Sequence, residues 1–336
     1  MNYIVCEHPG KLSLKTTSPP SPRHNEVVLK IKRIGVCGTD LHAFAGNQAY
    51  FTYPRILGHE LAAEIEDPNG LGAFAAGEKV AIIPYLHCGR CLACRSGKTN
   101  CCASLKVLGV HTDGGMQESI ALPQETIIPT PQLEWEDMAI IEPLAVAAHA
   151  VRRADIKKGE KVLVMGCGPI GLAIMVFAKL AGAEVTALDI NEWRLGLAKS
   201  AFGASHIVDA SGDGLEKLQE LTGGDLYHTV IDATGNKTAM EKGPSYMGHG
   251  GKYILVGLYK SNLEFSHPAL HAKETSLLCS RNATREDFQK VTDILSEKKF
   301  PVSAYITHQV PFGEMTENFQ SWTDPANQSI KAMIVL

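Results

Sequence analysis

The sequence predicts an α/β protein in which a doubly wound parallel sheet is inserted into a β-rich domain. Three observations carry this. Short apolar runs split by Gly and Pro clusters fill residues 1–145, strands alternate with helices over 146–284, and the remainder, 285–336, closes on one more apolar run. With 336 residues the chain exceeds one ordinary core and suits two domains.

In the first part Val27–Ile31, Lys79–Ile83 and Ser119–Leu122 read as strands, and Asp67–Gly77 as a loop. The pattern changes near Pro143. Leu144–Ala154 is helical in composition, Lys157–Glu160 is a polar turn, and Lys161–Met165 is a compact strand leading through a glycine turn into a helix that runs to about Ala181. Strands follow at Glu184–Leu188, His206–Asp209, Thr229–Asp232 and Tyr253–Val256, with helices expected at Leu215–Leu221 and Thr238–Met247. Such alternation means right-handed βαβ units, the Rossmann-type arrangement. A helix at Glu286–Lys298 and a strand at Lys331–Leu336 are expected to return and complete the first domain, with the substrate cleft between the two domains.

Hydrophobic residues make up 45% and charged residues 20%, which fits a packed globular fold. The net charge is -4 with no basic run, so neither a nucleic-acid nor an anionic-membrane partner is expected. The N-terminus lacks a signal-peptide pattern, and no apolar run reaches the roughly 20 residues that span a bilayer. Nine cysteines without an export signal point to metal thiolates in the reducing cytosol rather than to disulfides.

Gly166, Gly168 and Gly171 form G-x-G-x-x-G directly after one strand and before a helix, with Pro169 and Ile170 inside the motif. That context makes the motif a dinucleotide site: the pyrophosphate faces free N–H groups at the helix N-terminus. Asp189 follows Gly171 by 18 residues (189 − 171), where a carboxylate accepts the adenosine ribose hydroxyls and repels a 2′-phosphate. NAD is therefore expected over NADP. Arg194 is placed to stack on adenine or to approach a phosphate.

Cys88, Cys91 and Cys94 at C-x-x-C spacing, followed by the adjacent Cys101 and Cys102, form a thiolate cluster. Four thiolates satisfy tetrahedral zinc and leave no open position, so the expected role is structural. A second group is scattered: Cys37 with Thr39 and His42 in C-G-T-D-x-H, His59 and Glu60 in G-H-E, and Glu142 in E-P-L. Taken singly these read as buried packing, a surface turn and the N-terminal acid of a helix.

Together, and in this order along essentially the whole chain, the motifs resemble the zinc-dependent medium-chain dehydrogenase family, nearest its polyol, threonine and sugar-acid branch. The resemblance implies a GroES-like catalytic domain, selects Cys102 as the fourth ligand of the structural zinc, and implies a catalytic zinc held by Cys37, His59, Glu60 and, in some members, Glu142. It implies Thr39 as first proton acceptor with His42 beyond it, and backbone groups of Val256, Gly257 and Leu258 beside the nicotinamide. Arg281 is expected to contact cofactor or substrate. A Lewis-acidic ion lowers the pKa of a substrate hydroxyl, and hydride then passes to the nicotinamide. The expected substrate is a small polar alcohol (a polyol, sugar or sugar acid), with L-threonine or a simple alcohol as the alternative. Phe44, Tyr50 and Phe51 are the candidates for its pocket. The zinc-free quinone-reductase branch lacks both ligand sets, and a non-catalytic NAD-binding sensor has little use for them. Relatives are usually dimers or tetramers, so a homodimer or homotetramer is expected.

Overall fold

A computed structural model describes residues 1–48, 51–212 and 214–336. The chain divides into two compact units, Met1–Pro143 with Thr284–Leu336, and Leu144–Ala283.

The first unit is built on a sheet with strand order Ile127–Pro129, Lys79–Ile82, Glu60–Asp67, Glu26–Val36, Lys331–Val335, Ile306–Pro311; Ser119–Pro123 also pairs with Glu26–Val36. Along Glu26–Val36 the side chains of Val27, Leu29 and Ile31 are buried on one face; on the other Lys30 is exposed, although Val28 is buried as well. Those residues join Leu61, Ile65, Val80, Ile82, Met116 and Ile334 in one apolar cluster. Each fully buried aliphatic side chain contributes about 1.5–3 kcal/mol. Two registers matter for the site: Gly35 pairs with Glu60, and Val36 with Ala332. They bring Cys37, Glu60 and Lys331 to the same end of three adjacent strands. A small sheet of Lys11–Thr16, Asn2–His8 and Arg55–Ile56, and a ribbon of Tyr85–Leu86 with Lys106–Val107, complete this unit.

The second unit is a parallel sheet in the order His206–Asp209, Glu184–Asp189, Lys161–Met165, Tyr227–Asp232, Met247–Leu255, Ser276–Cys279. Its order reverses beside Lys161–Met165, which is where open α/β sheets bind ligands. Helix Pro169–Leu180 is buried from Gly171 through Ala178, as its all-apolar run requires.

Several elements differ from the sequence reading. The helix expected over Thr238–Met247 stops at Lys242: a 3₁₀ turn at Gly243–Tyr246 follows, and Met247 already belongs to a strand. Pro244 cannot donate the hydrogen bond that an α-helix needs at that point. The edge strand Ser276–Cys279 and the strand Ile306–Pro311 were not anticipated, and neither were the two N-terminal strands. The first is only 4 residues long, and the second carries His308 and Gln309 where an apolar run would signal a strand. Among the described residues no helix is long and apolar enough to cross a membrane.

Candidate metal centres and cofactor site

The sulfurs of Cys88, Cys91, Cys94 and Cys102 lie within 4.8 Å of one another. A short helix, Leu92–Arg95, starts at Cys91 and turns the chain back so that Cys94 faces the others. The Cys102 sulfur accepts from the backbone N–H of Cys88 at 3.3 Å and of Ser104 at 3.4 Å. Cys101 is exposed and outside the group. Backbone hydrogen bonds at Ala103 and Cys94 pull Cys91 down to about 6, whereas desolvation and the neighbouring Cys91 sulfur push Cys94 up to about 12. Four sulfurs this close cannot all be anionic without a cation among them, and that donor set fits zinc.

The second group is Cys37, His59 and Glu60, whose ligand atoms also lie within 4.8 Å of one another. Cys37 caps the short helix Gly38–Phe44 as the chain leaves strand Glu26–Val36. His59 and Glu60 enter the neighbouring strand and are buried. Asp40, fully buried, accepts from the N–H of Cys37 at 3.0 Å and of Gly58 at 3.2 Å, and its Oδ1 faces His59 Nδ1 at 3.7 Å. Burial disfavours a charged His59, but the Asp40 carboxylate and the Cys37 sulfur outweigh it and hold the ring well above its usual pKa. The field is therefore negative, as a cation site needs, and His59 Nδ1 makes no hydrogen bond.

Glu60 meets Lys331, whose Nζ lies 2.6 and 2.7 Å from the two carboxylate oxygens and donates a third bond to the Val36 carbonyl at 3.1 Å. Burial works against the ammonium charge, yet the Glu60 carboxylate holds Lys331 above its ordinary value. The carboxylate occupies the space over Gly35, where a Cβ would stand 2.1 Å from Oε2, so only glycine fits there.

Glu142 is outside the three-residue group. It lies in the first turn of helix Ile141–Ala154, the place an acid takes for helix reasons alone, and its Oε1 accepts from the Tyr85 hydroxyl. Burial raises its pKa, with His59 opposing. Thr39 and His42 stand at i and i+3 on the Cys37 helix, Thr39 half-buried and His42 exposed. Of the pocket candidates, Phe44 packs edge-on against Phe319 at 5.3 Å and Phe51 against Tyr53 at 4.7 Å; Tyr50 lies outside the described residues.

In the second unit Gly168 caps helix Pro169–Leu180 in an extended conformation, and Pro169 takes the first turn. A Cβ on Gly171 would come 1.8 Å from the Gly166 carbonyl, so glycine is obligatory where the helix crosses the turn. Asp189 ends its strand, with Oδ2 accepting from the Cys167 N–H at 2.5 Å and Oδ1 from the Asn191 N–H at 2.8 Å. Arg194 sits in the helix capped by Asn191, and half-buried Ile170 is in the first turn of its own helix. The N–H groups of Val256 and Gly257 donate to the Asp232 carbonyl, and Leu258 is 70% exposed. Arg281 is exposed, just beyond strand Ser276–Cys279. Gly166, Asp189, Val256 and Arg281 thus share the carboxyl edge of the parallel sheet.

Four residues near these sites escaped the sequence reading. Asp40 stands inside C-G-T-D and was recognisable by position. Lys331, Tyr85 and the exposed Ile190 beside Asp189 carry no local signal, apart from the oddity of a lysine heading an apolar closing strand.

Residues 23–132 match the family model of the alcohol dehydrogenase GroES-like domain, and residues 169–297 that of zinc-binding dehydrogenases. The chain is 43% identical to L-galactonate-5-dehydrogenase of Escherichia coli K12, over 99% of this chain and 98% of the relative. A structure described as a short chain alcohol dehydrogenase from Escherichia coli CFT073, complexed with NADH, superposes with TM-score 0.94 at 29% identity, covering 100% of this chain and 99% of that one. Galactitol-1-phosphate dehydrogenase from Escherichia coli superposes with TM-score 0.93 at 27% identity, covering 100% of both chains. With two cation-ready clusters, a dinucleotide-type turn and these relatives, the chain belongs to the zinc-dependent medium-chain alcohol and polyol dehydrogenase family.

Proposed function

We propose that this protein oxidises a secondary hydroxyl of a polyol, sugar or sugar acid with zinc and NAD, a sugar acid of the galactonate type being the first substrate to test. The observation that carries this reading is the Cys37–His59–Glu60 group in a chain so close to a galactonate dehydrogenase. Cys37, His59 and Glu60, with Glu142 beside them, would hold the catalytic zinc, and Cys88, Cys91, Cys94 and Cys102 the structural one. When bound, zinc supplies a Lewis acid that acidifies the substrate hydroxyl, and NAD supplies the hydride acceptor. Thr39 takes the hydroxyl proton and passes it to exposed His42 and water. Free N–H groups after Gly168 receive the pyrophosphate, and Asp189 receives the ribose. Residues 256–258 and Arg281 face the nicotinamide end. Asp40 steadies the His59 ring. We assign Leu144–Ala283 as the cofactor domain and the remainder as the catalytic domain, in a cytosolic homo-oligomer.

The test is absorbance of NADH with a panel of aldonates, polyols, L-threonine and simple alcohols, run with NAD and with NADP. An aldonate or polyol is expected to reduce NAD, and a chelator to stop it. Turnover of threonine or a simple alcohol alone would overturn the substrate class. Faster turnover with NADP would overturn the cofactor choice.

Two variants refine the reading. Asp189→Gly is expected to narrow the preference for NAD over NADP by about tenfold, equivalent to about 1.4 kcal/mol, in the ratio of kcat/KM values. His42→Ala is expected to flatten the pH dependence of turnover, and an unchanged profile would remove His42 from the proton path.

A further inference from the structure

Tyr85 has no part in the chemistry assigned so far, yet its placement is specific. Its strand, Tyr85–Leu86, pairs with Lys106–Val107 and closes the base of the four-cysteine loop, which fixes its backbone. Its side chain is buried, and the ring meets Phe288 edge-on, with centroids 6.0 Å apart and an interplanar angle of 81°. A phenol held this way has one donor and little freedom to aim it elsewhere. That donor goes to Glu142 Oε1.

The two carboxylates near the metal group are thus treated differently. Glu60 has both oxygens engaged by the Lys331 ammonium, which neutralises it. On Glu142 a neutral hydroxyl engages Oε1, which orients the carboxylate and leaves its negative charge in place. The Tyr85 hydroxyl takes Oε1 and not Oε2.

We propose that Tyr85 is the positioning residue for Glu142: it holds Oε1 so that the other oxygen is presented to the Cys37–His59–Glu60 centre. This rests on the reading that Glu142 serves the catalytic metal. It predicts that the pair acts as a unit, with the hydroxyl controlling how firmly the metal is kept and with what geometry.

The test is Tyr85→Phe, which keeps the ring against Phe288 and deletes one oxygen. Zinc-loaded protein is challenged with an excess of a colorimetric chelator, and release is followed in time. A second sample, with cobalt(II) replacing the catalytic zinc, is read by visible absorption. Zinc is expected to leave the catalytic centre of Tyr85→Phe about ten- to a hundredfold faster, the range found when a partner of a metal ligand is removed. Release from the four-cysteine loop is expected to stay the same, and the cobalt band to shift. Phe288→Leu, which loosens the ring while keeping the hydroxyl, is expected to shift the band in the same direction by less. If Tyr85→Phe lowers only the melting temperature, with wild-type release rate and cobalt band, the proposal is overturned. Glu142→Gln separates the two claims. An unchanged cobalt band there means Glu142 does not serve the metal, and the underlying reading fails. A shifted band in Glu142→Gln with none in Tyr85→Phe overturns the positioning role alone.

Discussion

Replacing His59 by alanine is expected to cut dehydrogenase turnover by about a thousandfold or more, roughly 4 kcal/mol of barrier, while the protein stays folded. His59 is central to the group: its ring shares the 4.8 Å cluster with Cys37 and Glu60, and its Nδ1 side faces Asp40. Alanine removes a ligand and leaves Cys37 and Glu60 too few to keep the ion. Zinc content is therefore expected to fall from about two per chain to about one, since the four-cysteine loop has separate ligands. Metal content by mass spectrometry checks this alongside the rate. Asp40→Asn should act in the same direction by about ten- to a hundredfold, because it weakens the electrostatic hold on the ring without removing a ligand. A His59→Ala protein with two zinc ions and near-normal turnover would place the chemistry elsewhere.

Lys331→Met is expected to lower stability by about 3–5 kcal/mol, the cost of leaving a buried charge without its partner. Glu60 is fully buried and has both oxygens on Lys331, in the space that the absent side chain of Gly35 leaves open. Denaturant or thermal unfolding of protein stripped of metal measures the loss. The pH window follows from the sign of the shift. Lys331 is held above its ordinary value in the folded protein, so the stability it contributes is fully present below the unfolded lysine pKa of about 10. It is lost only as pH rises through the higher folded value. The difference between wild type and Lys331→Met should therefore be constant across neutral pH and shrink at strongly alkaline pH. A loss of less than about 1 kcal/mol would mean that Glu60 finds another partner or takes up a proton.

The parts of this molecule legible in the sequence are those whose physics is local. The turn at Gly166–Gly171 lies between a strand and a helix within a dozen residues, and steric necessity at Gly171 ties the motif to its geometry. The C-x-x-C spacings likewise bring sulfurs together within one loop. Strands Glu26–Val36 and Lys79–Ile82 announce themselves through apolar residues bounded by turns. What was missed depends on pairing across long separations. Lys331 reaches Glu60 because Val36 pairs with Ala332 and Gly35 with Glu60, and no local window contains both partners. Tyr85 and Glu142 are likewise far apart in sequence, 57 residues, so no local window contains both. The strand Ile306–Pro311 forms because Lys331–Val335 offers it an edge, although its own sequence carries weak strand character. The break in the helix expected to reach Met247 was readable from Gly243-Pro244, had the missing N–H of proline been weighed above the helical composition around it.

The arrangement as a whole turns on a metal ion at residues 37 and 59 distinct from the one in the cysteine loop. Diffraction from NADH-bound crystals, collected on both sides of the zinc absorption edge, locates each ion directly. Two anomalous peaks per chain are predicted, one among Cys88, Cys91, Cys94 and Cys102 and one touching Cys37 and His59. A single peak in the cysteine loop, with Cys37 and His59 bare, would contradict the account.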